Sequence, residues 1–273
     1  MARPKKPQTT PEIDRETPQS ASPAQNKPKF NKQTIYFAIF TLAWTALAMT
    51  ASQFIIYPMA WILGPKIATP LWTCIYYAIN YLIALALVIY IPPRLFELYR
   101  KKQQKSAAIN NPLATNSTEL GLQHLPTFVD IGLAPIGYVV YIVGANLLTN
   151  IFKIFPWFQS DQTQETGFGY FVNTGDRLLA VLALVIIAPI AEELIMRGWL
   201  YGKLRSRLKA PVTILIVSLL FALLHGQWNV GVGVFALSIV LCSLREITGT
   251  IWSGILLHIL SNGIAFYLLY IAF

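Results

Sequence analysis

Several uninterrupted apolar runs, each about 20 residues long, limit this chain more than any other feature, because a helix of that length matches the ~30 Å hydrocarbon core of a bilayer. Within lipid every backbone N–H and C=O must be bonded internally, so only helices or closed barrels can cross. The runs are continuous rather than alternating, which selects helices. They cover Thr34 to Tyr57 (before Pro58), Pro70 to Ile91 (before Pro92-Pro93), Phe128 to Phe152, Leu178 to Tyr201, Val212 to Trp228, Val230 to Leu244 and Ile251 to Phe273. The expected fold is therefore all-α, a polytopic transmembrane helical bundle of about seven spans. A re-entrant sixth run would reduce these to six. With 55% hydrophobic and only 12% charged residues, the chain is too apolar for an ordinary soluble domain.

The formal net charge of +9 sits mainly in the N-terminal tail and in two short segments beside apolar runs, Arg94 to Lys102 and Lys203 to Lys209. Such placement reads as topology and attraction to anionic membrane lipids, with no nucleic acid partner expected. It puts the N-terminus on the cytoplasmic side, with the plasma membrane as the expected location. Residues 1–33 are rich in Pro, Gln, Ser, Thr and Lys and read as a disordered polar cytoplasmic tail. Residues 34–93 form two N-terminal transmembrane helices joined by a turn at Gly64-Pro65, residues 94–127 a basic and polar cytoplasmic linker, and residues 128–273 the remaining membrane core. The loop from Lys153 to Arg177, with Trp157, Phe168 and Tyr170, suits the opposite interface. Cys74 and Cys242 lie within apolar runs and read as buried thiols.

Three ionisable residues interrupt the fourth run: Glu192, Glu193 and Arg197. Charges at membrane depth cost at least ~2.5–3.5 kcal/mol each on insertion scales, so they usually face a bundle interior or a water-filled cavity. At a rise of ~1.5 Å per residue, Glu192 lies about 15 Å in from Gly202, His225 about 21 Å in from Pro211, and His258 and Asn262 about 10 and 16 Å in from Ile251. Polar groups on three runs thus share the middle or the cytoplasmic half of the core.

Residues four apart share a helix face. Glu193 and Arg197 can pair along their own helix, which leaves Glu192 aimed elsewhere. Phe221 shares a face with His225, and His258 with Asn262. A carboxylate and an imidazole withdrawn from bulk water suit general acid–base activation of a water. His258 and the Asn262 amide can donate to a developing oxyanion. Two histidines and a carboxylate (Glu192, His225, His258) are also a normal zinc ligand set, although the His-Glu-x-x-His pattern is missing. Pro189 removes one helix hydrogen bond and frees the Val185 carbonyl. Gly198 and Gly202 permit a close approach. The plainer readings are an internally neutralised Glu193–Arg197 pair and histidines that only bond between helices.

Glu192-Glu193-x-x-x-Arg197, Phe221-x-x-x-His225 and His258-x-x-x-Asn262 occur in the order found in the CPBP family of CAAX-protease and bacteriocin-processing (Abi) membrane peptidases. The chain resembles that family over about residues 119–273, beginning near Glu119-Leu120-Gly121-Leu122, and residues 128–273 would be its peptidase core. The resemblance implies an intramembrane endopeptidase acting on a peptide or protein substrate, with or without a lipid. Glu192 and His225 would activate water, His258 and Asn262 would stabilise the oxyanion, and Glu193, Arg197 and Phe221 would support them. Family members have been described both as metalloproteases and as glutamate-dependent enzymes, so zinc stays open. The alternatives from other classes are a non-catalytic membrane immunity or assembly protein that keeps the same constellation for folding, and a proton-relaying transporter. The first two spans fall outside the resemblance and carry no expectation about activity.

Overall fold

The computed structural model describes residues 31–63, 69–102, 111–162, 166, 168 and 173–272. The tail expected to be disordered lies outside them except for its last three residues, as do Gly64, Pro65 and Tyr170. Helix is the dominant structure, and among the described residues there is no strand. Eight helices follow in order: α1 Lys32–Leu63, α2 Pro70–Lys102, the short α3 Ser117–Leu120, α4 Phe128–Phe152, α5 Thr174–Arg205, α6 Ala210–Leu223, α7 Trp228–Thr248 and α8 Trp252–Tyr270. Six are long and apolar enough to cross a membrane. The exception among the seven expected spans is α6, whose 14 residues reach only about 21 Å.

Local chemistry sets the helix starts. Thr127 and Asp130 form a reciprocal capping box at α4, Asn173 caps α5 by accepting from the Asp176 N–H, and Pro211 opens α6. Gly249, at φ 72°, ends α7 in the left-handed conformation that a residue with a Cβ adopts at a cost.

Two expected helix ends do not occur. Pro58 lies inside α1, and Pro92-Pro93 lies inside α2. In α2 the backbone widens to π spacing over Ala86–Tyr90, so that the Ile91 N–H bonds the Ala86 carbonyl five residues back. The next donor in that series would be Pro92, which has none, and the Leu87 carbonyl it leaves accepts instead from Trp44 Nε1 on α1 at 3.0 Å. Helix α5 repeats the device. Its Leu182–Ile187 segment is π-helical, the Ala188 N–H bonds the Ala183 carbonyl, and Pro189 leaves the Leu184 carbonyl open. Asn262 Nδ2 on α8 fills it at 2.9 Å. The freed carbonyl is therefore Leu184 rather than Val185, because the local spacing is five residues and not four.

Helix α5 is the centre of the bundle and packs against α1, α2, α3, α6, α7 and α8, while α4 packs on α7 and α8. One apolar cluster joins Ala48 of α1, Ala84 and Val88 of α2, Trp199 and Leu200 of α5 and Phe221 of α6. Another holds Leu241 of α7 against Leu257 of α8 and Ala134 of α4. The outward faces stay apolar, with Phe54, Leu82, Val139, Leu147 and Leu219 exposed, as a lipid solvent requires.

Gly198 and Gly202 admit α3 rather than another spanning helix. A Cβ at Gly202 would stand 2.8 Å from the Glu119 carbonyl oxygen, and one at Gly198 would stand 3.2 Å from that of Leu120. Side chains fix this seat. Lys203 pairs with Glu119 at 2.9 Å and also donates to the Ala114 carbonyl, and Arg245 Nη2 donates to the Glu119 carbonyl at 3.0 Å.

Candidate active site

Glu192 and Glu193 sit in the one α-helical turn of α5, Ala188–Glu193, that lies between two π-helical segments. Being adjacent, they diverge by about 100° around the axis. Glu193 points into the packed interior, where both it and Arg197 have no exposure, and the two pair at 2.9 Å. The Arg197 guanidinium lies 4.5 Å from the centre of the Phe221 ring, a cation–π contact within the bundle. The pairing expected from spacing is present, and Phe221 covers it.

Glu193 also accepts from His258 Nδ1, at 3.0 Å, through the same oxygen that binds Arg197. An ionised carboxylate only accepts, so the proton of this bond belongs to Nδ1 and the ring presents Nε2 to the other side. There Nε2 stands 3.8 Å from Glu192 Oε2. Gly254 makes room for the arrangement, since a Cβ at that position would lie 2.9 Å from Glu193 Oε2. Helical spacing could not show this tie, because it joins α5 to α8.

His225 lies beyond the end of α6, in the turn that leads through Gly226 at φ 66° to α7, and not inside a span as expected. Its Nδ1 is 2.8 Å from the Phe221 carbonyl, an acceptor only, so Nδ1 carries a proton and Nε2 is the nitrogen not engaged in that bond. The Phe221 ring meets the imidazole edge-on at 4.9 Å and the His258 ring at 6.1 Å. One aromatic side chain thereby separates and braces both histidines.

Glu192, His225, His258 and Asn262 all line a single cavity of about 950 Å³. Asn262 uses one amide N–H on the Leu184 carbonyl, and the group has a second. Among the described residues no three His, Cys, Asp or Glu side chains converge closely enough to hold a metal ion.

The second span enters the site, contrary to its position outside the resemblance. Thr73, Tyr76, Tyr77, Asn80 and Tyr81 of α2 line the same cavity. The Tyr81 hydroxyl donates to Glu192 Oε1, and Tyr77 donates to the Thr166 carbonyl at 2.9 Å. The sequence signal for this was a polar and aromatic stripe, Thr73-Tyr77-Tyr81 with Tyr76-Asn80 beside it, at helical spacing.

Comparison with known proteins agrees with this geometry at the level of class. The fold is that of a multi-pass membrane protein, and residues 174–264 match the type II CAAX prenyl endopeptidase Rce1-like family, a CPBP family of membrane proteases. The match spans α5 to most of α8 and contains all three motifs. The chain is also similar to UPF0177 protein YxdF of Lactococcus lactis subsp. lactis (strain IL1403), at 30% identity over 89 residues, 33% of this chain and 49% of that protein. The similarity therefore spans about half the length of this relative. No solved structure matches the chain.

Proposed function

We propose that the protein is an intramembrane endopeptidase that hydrolyses a peptide bond in a peptide or protein substrate by direct attack of water. The single observation that supports this is the sharing of one cavity by Glu192, His225, His258 and Asn262, which come from α5, the α6–α7 turn and α8. Glu192 takes a proton from water as general base, and His225 Nε2, on the same cavity, is a second acceptor when its ring is neutral. Attack on the carbonyl carbon places negative charge on its oxygen. The free N–H of Asn262 donates to that oxygen, as does His258 Nε2–H when Glu193 at Nδ1 balances the imidazolium. The abstracted proton then passes to the departing amine. Glu193 and Arg197 hold these groups from behind the cavity wall, and Phe221, at the wall itself, braces both histidines.

A zinc-dependent version would have to draw Glu192, His225 and His258 together around the ion, and none of the steps above uses a metal. The matched family is named for CAAX prenyl substrates, so the natural probe is a peptide with a farnesylated cysteine four residues from its C-terminus, beside its unprenylated counterpart. Membrane lipids surround the bundle. The start of α1 and the basic segment after α5 lie at one end, with Arg207 4.1 Å from the Phe37 ring, which favours a cytoplasmic N-terminus, and the plasma membrane is the proposed location.

Membranes carrying the wild type or Glu192→Gln are compared for cleavage of both probes. Loss of cleavage in the variant is expected. Equal cleavage would remove Glu192 from the mechanism; no cleavage above membranes lacking the protein would favour a non-catalytic immunity or assembly role, for which His225→Ala leaves the cellular function intact while altering stability.

A further inference from the structure

Glu192 receives little help from the groups that hold its neighbour. Arg197 and His258 Nδ1 both bind Glu193, and the nearest His258 nitrogen is 3.8 Å from Glu192, beyond hydrogen-bond distance. The described hydrogen bond to its carboxylate comes from the Tyr81 hydroxyl, on a helix about 70 residues before the start of the matched family segment. We infer that Tyr81 is a positioning residue for the Glu192 carboxylate, so that α2 completes the working site. The inference rests on the proposed role of Glu192 as the water-activating base.

A half-buried phenol also takes an acceptor in any protein, and simple satisfaction of Tyr81 is the plainer explanation. Three features favour positioning. The ring is itself held: its centre is 6.3 Å from that of Tyr77, which is bonded to Thr166 and packs 6.0 Å from Phe168. The bond takes Oε1 alone, so rotation of the carboxylate is stopped with Oε2 left toward His258 and the cavity. A half-buried carboxylate with no donor would turn to find one, and the groups within reach are those assigned to substrate. Tyr81 thus fixes which oxygen meets water without itself touching the reacting atoms.

The test compares wild type, Tyr81→Phe and Glu192→Gln, purified in detergent, on the farnesylated and unprenylated peptides. Tyr81→Phe is expected to lower kcat by about 10- to 100-fold, the worth of one hydrogen bond to a charged group, with KM changed less than about twofold. In the Glu192→Gln background the same change should add nothing further. A wild-type kcat in Tyr81→Phe, or a loss confined to KM, overturns the inference while Glu192→Gln alone still decides the proposed function. Infrared difference spectra give a reading that needs no turnover: the carboxylate band removed by Glu192→Gln must shift in Tyr81→Phe. If no peptide is cut by wild type the proposed function falls, and an unshifted band then discards the contact as well. If Tyr81→Phe does not fold, 3,5-difluorotyrosine at position 81 keeps the ring and the bond, and an unmoved band and kcat overturn the inference.

Discussion

The N-terminal hairpin of α1 and α2 and the bundle of α5 to α8 build one cavity by different means. In the bundle, charges are stacked in depth: Arg197 binds Glu193, Glu193 binds His258, and Phe221 separates the two histidines, all of it buried except the half-buried His225. Each group there depends on another, as in any desolvated network. The hairpin lines the cavity with neutral side chains, Met49 and Gln53 of α1 and one stripe of α2, and among the described residues it is the Tyr81 hydroxyl that bonds the charged core. Chemistry is concentrated where partners are locked, and the opposite wall, Tyr81 excepted, is built from groups that can be exchanged at small cost.

The sharpest way to break this contrast is Glu192→Gln, for which removal of a general base predicts a loss of about 10²–10⁴-fold in kcat, read in the peptide assay, with unchanged melting in detergent. Next comes Arg197→Met. It leaves the Glu193 charge buried without its cation, and a destabilisation of about 3–5 kcal/mol is expected in a reversible unfolding assay. Asn262→Ala should cost about 10²–10³-fold in kcat as an oxyanion donor is lost, and its melting temperature should fall because the Leu184 carbonyl is orphaned. Gly202→Ala pushes a Cβ against the Glu119 backbone, and roughly 1–3 kcal/mol of strain should appear as faster proteolysis near α3. Smallest is Tyr77→Phe, which loses one bond to the Thr166 carbonyl, worth about 0.6 kcal/mol and at most ~1.7 kcal/mol. A large effect at Tyr77 would erase the distinction between the two walls.

Run length made most of the bundle legible, and α4 occurs with the bounds the sequence suggests, Phe128–Phe152. Prolines misled at Pro58 and Pro92-Pro93, because a lost helix hydrogen bond ends a helix in water but can be replaced inside a bundle by a neighbour's donor. The end of α6 at Leu223 was missed because the expected run was carried on to Trp228, across the turn Leu224-His225-Gly226-Gln227 whose glycine sits at φ 66°. Within one helix, spacing found the Glu193–Arg197 pair. Between helices no spacing rule exists, so the Glu193–His258 bond and the Tyr81–Glu192 bond were beyond reach, although the α2 stripe was visible as periodicity. Aromatic residues in a span are ordinarily packing, and only the position of Glu192 gives Tyr81 another meaning.

The two prolines that leave a carbonyl open, Pro92 and Pro189, have a consequence for how this chain can change length. Each carbonyl is matched to one N–H on a different helix, Trp44 for Leu87 and Asn262 for Leu184. Inserting or deleting a single residue between Leu182 and Pro189 would swing that carbonyl about 100° around α5 and slide it about 1.5 Å along, out of reach of Asn262. The same step would turn Glu192 off the cavity. The widened turns therefore work as vernier marks between neighbouring helices, and the number of residues between mark and carboxylate is as much a determinant of the site as the carboxylate itself.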